Sequence, residues 1–145
     1  MANARKMNLL VVDDDPAIVR LVSKVVEKQL ADKVKLTALS DPLEARAWLD
    51  RNCCDLLLTD WEMPEVDGAE LLQLAKRRNS CTQVIFMTAH STWDRLSLAI
   101  ESGATDYIIK PLQIEELVSL LQQQQQRFTR WQTAAVRTFA LQSGR

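Results

Sequence analysis

Leu9-Leu10-Val11-Val12-Asp13-Asp14-Asp15-Pro16 is the stretch from which the fold is read. Four apolar residues in a row, without polar alternation, suit a strand covered on both faces, the environment of a parallel sheet. The run stops at three carboxylates. Asp15-Pro16 reads as an N-cap followed by a proline at the first helical position, so a helix should start there.

Working outward, comparable runs recur at 34–39, 55–59, 84–87 and 106–109, with helix-period segments between them at 17–30, 42–51, 69–78, 93–102 and from 114 onward. Strict alternation of strand and helix predicts five parallel strands joined by right-handed crossovers, a doubly wound α/β sandwich. Asp41-Pro42 with Glu44 marks another helix start, Gly103 a helix end, and Pro111 the end of the last strand, because proline donates no ladder hydrogen bond. After Ile114 the helical pattern does not stop where a five-helix domain needs it to. Leu117, Leu121, Phe128, Trp131, Ala135 and Phe139 hold one face through the glutamine tract at 122–126, which predicts a long helix overhanging the domain with the tract as a solvated neck. The expected division is a domain over 1–126 and a helical extension over 127–145.

Length and charge bound the function. The chain has 145 residues, the size of one domain. Its 18 Lys and Arg against 19 Asp and Glu give a net charge of -1, so no global basic field attracts nucleic acid or membrane. The polar stretch 1–7 lacks the apolar core of a signal peptide, and no membrane span is apparent. Cys53, Cys54 and Cys81 lack metal or redox spacing and read as reduced cytosolic thiols, the first two structural. A cytoplasmic protein is expected.

In a doubly wound sheet, ligands bind beyond the carboxyl ends of the strands, where the strand order reverses. Standing at those ends are Asp13, Asp14 and Asp15, then Asp60, then Thr88, then Lys110. Singly, each has an ordinary reading as a cap, a turn residue or a solvated charge. Jointly they place carboxylates, a hydroxyl and an ammonium on one rim. Clustered carboxylates need a cation, and an all-oxygen site suits Mg2+ or Mn2+. A metal, an ammonium and a central carboxylate are the equipment of phosphoryl transfer, with Asp60 as nucleophile.

The segments Leu10-Val11-Val12-Asp13-Asp14-Asp15-Pro16, Leu57-Leu58-Thr59-Asp60-Trp61-Glu62-Met63-Pro64-Glu65-Val66-Asp67-Gly68, Met87-Thr88-Ala89 and Asp106-Tyr107-Ile108-Ile109-Lys110-Pro111 resemble the receiver domains of two-component response regulators, over roughly residues 8–126. The resemblance implies a flavodoxin-like (βα)5 fold with strand order 2-1-3-4-5. It implies Asp60 as phosphoacceptor, Asp14 as a direct Mg2+ ligand, Asp13 acting through water, and the backbone carbonyl of Glu62 as a further ligand. Thr88 and Lys110 would contact the phosphoryl group, Thr88 and Tyr107 would form the switch, and the Lys110-Pro111 bond resembles the one that is cis in the family. The implied partner is a sensor histidine kinase or phosphotransfer protein, and phosphorylation would repack the fourth helix, fifth strand and fifth helix.

Glu62 and His90 stand where the family varies. Both are expected at the mouth of the site, with Glu62 a candidate partner of His90, tuning the lifetime of the acyl phosphate. Trp61 is expected near the metal, Trp48 in ordinary packing, and Trp93 on the switching face. No output motif follows the domain, so output would pass through a partner, through a homodimer built on the fourth helix, fifth strand and fifth helix or on the C-terminal helix, or through a domain of a longer regulator. Two other classes stay open: a phosphatase of the haloacid dehalogenase type using Asp13 and Asp15, and an interaction module that takes no phosphate. The favoured reading is a phosphoacceptor that catalyses its own modification, not an enzyme with a separate substrate.

Overall fold

The computed structural model describes residues 5–144. The outer ends of the two expected ranges, and most of the stretch read as a polar N-terminus, lie outside them. The chain runs β1 (Met7–Val12), α1 (Pro16–Gln29), β2 (Val34–Leu39), α2 (Pro42–Leu49), β3 (Leu56–Asp60), α3 (Gly68–Arg78), β4 (Gln83–Thr88), α4 (Trp93–Ser102), β5 (Asp106–Ile109) and α5 (Ile114–Gln142). All strands are parallel and their order is β2-β1-β3-β4-β5, as the resemblance implies. From β1 the chain moves outward to β2 and then returns to β3 on the opposite side. The crevice beyond β1 and β3 is therefore the switch point.

The central strands are buried on both faces because each pleat feeds a different core layer. Leu9, Val11, Leu56, Leu58, Ile85 and Met87 pack beneath α1 and α5. Leu10, Val12, Leu57, Val84 and Phe86 pack against the layer holding α2, α3 and α4, with Trp48 at its edge. The expected strand ends shift by a residue or two. Asp60 is itself the last residue of β3, because it pairs in register with Met87.

Local chemistry sets the helix starts. Asp15 Oδ1 accepts from Ala17 N at 2.9 Å and Asp41 Oδ1 from Leu43 N at 2.9 Å, each ahead of a proline. Asp67 and Thr92 cap α3 and α4 in the same way. Gly103, at φ 91°, closes α4 in the left-handed conformation that glycine adopts without a steric cost.

α5 runs unbroken across residues 126 and 127. Its first half buries Leu117 and Leu121. The expectation of a solvated glutamine neck needs correction, because Gln124 is also buried on this face and its Oε1 has no hydrogen-bond partner. From Trp131, which is 67% exposed, the stripe leaves the domain, and Val136, Phe139 and Leu141 are as open. Beneath the overhang lies a cavity of about 470 Å³ with Met7, Leu56, Phe128, Trp131 and Ala135 in its walls. No helix among the described residues is long and apolar enough to cross a membrane.

Candidate functional site

The carboxyl ends of β1, β3, β4 and β5 bring the expected residues to one rim. Asp13 follows β1, Asp60 ends β3, Thr88 ends β4 and Lys110 follows β5. Lys110 N donates to Thr88 O at 2.8 Å, which continues the β4–β5 ladder by one residue and fixes the lysine beside the acidic group. Its Nζ donates to Asp13 Oδ2 at 2.7 Å and stands 3.4 Å from Asp60 Oδ1. Carboxylate oxygens of Asp13, Asp14 and Asp60 lie within 4.8 Å of one another, the one group of metal-ligating type found among the described residues.

Burial differs along this cluster. Asp13 is fully buried and Asp60 is 7% exposed, while Asp14 faces solvent. Loss of solvation pushes the Asp60 carboxyl up to about 6, Asp13 adds repulsion, and Lys110 only partly opposes both. Burial likewise raises Asp13 against the pull of its hydrogen bond from Lys110. Burial lowers Lys110, but its ion pairs with Asp13 and Asp60 outweigh this and leave it raised. Three carboxylates sharing one ammonium are short of positive charge, so the donor set and its electrostatics fit a hard divalent cation.

A measurable consequence concerns stability. With the Asp60 carboxyl at about 6 when folded and 3.8 as its ordinary value, the native chain holds more protons than the unfolded chain between those pH values. Metal-free stability is therefore greatest below that window and is lost as pH rises through about 6. Two pH units correspond to about 3 kcal/mol. Thermal melts are expected to show a higher Tm for the metal-free protein at pH 5 than at pH 7.5. Asp60→Asn should raise the pH 7.5 value and flatten the profile, and millimolar Mg2+ should do the same to the wild type.

Thr88 is buried, and its Oγ1 accepts from His90 N at 3.1 Å. Tyr107 is half-buried with its hydroxyl shielded and unpartnered, its ring edge-on to Trp61 at 6.4 Å. Two expectations change here. Glu62 pairs with Arg95 of α4, not with His90, whose side chain is exposed. Trp61, directly after Asp60, is buried in the core layer: its ring stacks on Phe86 at 4.4 Å, with the Arg95 guanidinium 5.6 Å from its centroid. Of the adjacent cysteines only Cys54 is buried, its thiol pushed up to about 12 by burial, while Cys53 is exposed. Trp48 packs as expected, and Trp93 is exposed at the start of α4.

Sequence reasoning gave no role to Arg95 or Gly68. At Gly68 a Cβ would meet the carbonyl oxygen of Asp60 at 2.4 Å and Trp61 Cα at 3.0 Å, so only glycine lets α3 begin against the end of β3. The Asp67-Gly68 pair before a helical run was the available signal. Arg95 had none, because its partner lies on another element.

The family model for the response regulator receiver domain matches residues 9–122. The transcriptional regulatory protein TrcR of Mycobacterium tuberculosis is 36% identical over 121 residues, covering 83% of this chain and 46% of that protein. The DNA-binding transcriptional regulator NtrC of Salmonella typhimurium is 40% identical over 113 residues, covering 77% of this chain and 23% of its own length. This chain thus spans less than half of either relative. Among solved structures, the receiver domain of the Francisella response regulator 1452 superposes with a TM-score of 0.73 at 29% identity, over 85% of this chain and 99% of that one. Fold, rim and comparisons agree, and the chain belongs to the response regulator receiver domain family.

Proposed function

We propose that this domain takes a phosphoryl group onto Asp60 in a Mg2+-dependent reaction and passes the change to a partner through α4, β5 and α5. The observation that carries this reading is the convergence of Asp13, Asp14, Asp60 and Lys110 at the switch point, with Asp60 central and its charge only partly balanced. The donor would be a phosphohistidine on a sensor kinase or phosphotransfer protein, or a small acyl phosphate. An Asp60 carboxylate oxygen attacks phosphorus in line, and the bond from phosphorus to the donor breaks.

Mg2+, or Mn2+, held by Asp14, Asp60 and the Glu62 carbonyl, with Asp13 acting through water, would neutralise charge on the transferring group. Lys110 supplies a fixed positive charge beside Asp60, and the Thr88 hydroxyl, released from His90 N, reaches the new phosphoryl group. Thr88 and Tyr107 then form the switch: movement of Thr88 alters the space beside Tyr107, whose shielded hydroxyl has no partner to hold it. The domain promotes its own phosphorylation and dephosphorylation and acts on no separate substrate.

Incubation with acetyl phosphate followed by acid quench tests this. Label should appear with Mg2+, vanish with a chelator, and be released by hydroxylamine as an acyl phosphate. Label resistant to hydroxylamine, or incorporation independent of metal, contradicts the proposal. Mg2+ affinity should also weaken as pH drops through about 6, because protons compete with the metal for the Asp60 carboxylate. Hydrolysis of small phosphate esters that needs Asp13 but not Asp60 would favour the phosphatase reading.

The exposed stripe of α5 favours self-association as the route of output, since an apolar helical face is costly to leave in water. The helix contributes no acidic residue after Glu116 and carries Arg127, Arg130 and Arg137 away from the stripe's centre. Sedimentation should show a dimer that Trp131→Glu with Phe139→Glu dissociates. A monomeric wild type would leave output to a domain of a longer regulator. Kinase-coupled signalling of this kind places the domain in the cytoplasm.

A further inference from the structure

α4 is the most weakly anchored helix of the domain. Ala99 is its only buried residue, and Trp93, Leu98 and Ile100 face solvent. Yet its third residue reaches back across the sheet end. The Arg95 guanidinium lies over the Trp61 ring, 5.6 Å from its centroid, and its Nη2 meets Glu62 Oε1. Nη1 is shielded from solvent and has no hydrogen-bond partner.

Helix stability does not explain a cation at this position. The first turn of a helix carries the positive end of its dipole, so an arginine there is unfavourable unless a nearby anion compensates it. Glu62 is that anion, two residues beyond Asp60. Trp61, between them, is held rigidly: its N donates to Met87 O at 3.1 Å, its O accepts from Gly68 N at 2.8 Å, and its ring stacks on Phe86. Arg95 therefore grips a segment that cannot yield independently of Asp60.

We infer that Arg95 is a positioning residue, a clasp closed on Glu62 and Trp61 that ties the first turn of α4 to the strand end carrying Asp60. Without it, α4 keeps only the packing of Ala99 and its connection through the loop that follows Thr88. With it, a change of charge or backbone at Asp60 alters the field and geometry on which the guanidinium rests, and α4 responds. The shielded Nη1 has no partner, so both of its N–H donors are unsatisfied in the closed clasp.

The response to phosphorylation rests on Asp60 being the acceptor, whereas the tether in the resting protein does not. Hydrogen exchange over residues 93–102 reads both. It is measured on the full chain, for wild type, Arg95→Ala, Glu62→Gln and Arg95→Lys, with and without Mg2+ and beryllofluoride as the phosphoryl mimic. Unloaded, Arg95→Ala and Glu62→Gln should exchange α4 about tenfold faster than wild type, the combined scale of a half-exposed ion pair and a cation–π contact. Arg95→Lys should fall between.

On loading, residues 59–61 should gain protection in wild type and Arg95→Ala alike, while the α4 response is smaller in Arg95→Ala than in the wild type. Unaltered α4 exchange in unloaded Arg95→Ala overturns the clasp. Faster exchange in Arg95→Ala but not in Glu62→Gln overturns the ion pair and assigns the effect to packing on Trp61. A full α4 response in loaded Arg95→Ala overturns the coupling. No protection at 59–61 in loaded wild type contradicts the assignment of Asp60, and the unloaded comparison still decides the clasp. Glu62→Gln retains the arginine side chain and its packing volume on Trp61, so it remains informative if Arg95→Ala fails to fold.

Discussion

Lys110→Ala is expected to remove about 3 kcal/mol of stability at pH 7.5 without metal and to slow phosphorylation by at least about a hundredfold. Among the described residues, Lys110 Nζ is the one cation beside both Asp13 and Asp60, 2.7 Å from the first and 3.4 Å from the second. Removing it leaves a fully buried carboxylate without its partner, which costs more than the pair itself is worth. Acid should rescue the stability loss, because both carboxyls already sit above their ordinary range and protonate more readily once the ammonium is gone. Mg2+ should rescue stability but not rate, since it neutralises the cluster without standing where Nζ stands. Lys110→Arg should recover little of the rate, because a planar fork does not replace a compact ammonium at this distance. Chemical denaturation at pH 5 and pH 7.5 and single-turnover labelling read the two effects. Equal destabilisation at both pH values contradicts the electrostatic account.

Gly68→Ala is expected to cost about 3 kcal/mol and to disable the site at once. The added Cβ meets the Asp60 carbonyl oxygen at 2.4 Å and Phe86 Cε1 at 3.1 Å. The first of these is backbone of a central strand and cannot swing aside like a flexible side chain. The strand end or the start of α3 must shift, and either moves Asp60 and Trp61 together, because Gly68 N also donates to Trp61 O. Denaturant melts and Mg2+ affinity should fall in parallel. A variant of wild-type stability and Mg2+ affinity would show that the β3–α3 junction is softer than its packing implies.

How much of this could be read without coordinates depends on the range of each interaction. The strands were legible because Leu9 to Val12 and the runs like it are buried on both faces, and burial of that kind writes itself into consecutive residues. The caps at Asp15 and Asp41 act within two residues and were equally plain. The acidic rim was legible for a topological reason: parallel strands carry their ends to one side, so the residues that follow them must meet.

What could not be read lies across elements. Glu62 was given His90 as a candidate partner, whereas Arg95, in the first turn of α4, reaches it instead. Five consecutive glutamines looked like a solvated neck, yet the face that buries Leu117 and Leu121 also buries Gln124, since helix phase overrides composition.

The most direct test of the account is the intact mass of the protein after Mg2+ and acetyl phosphate, with the modified peptide located, for wild type and Asp60→Asn. The account predicts a single phosphoryl adduct on the peptide carrying Asp60, absent without metal and absent in Asp60→Asn. An adduct of the same mass that persists in Asp60→Asn, or that maps to Asp13 or Asp15, would contradict it.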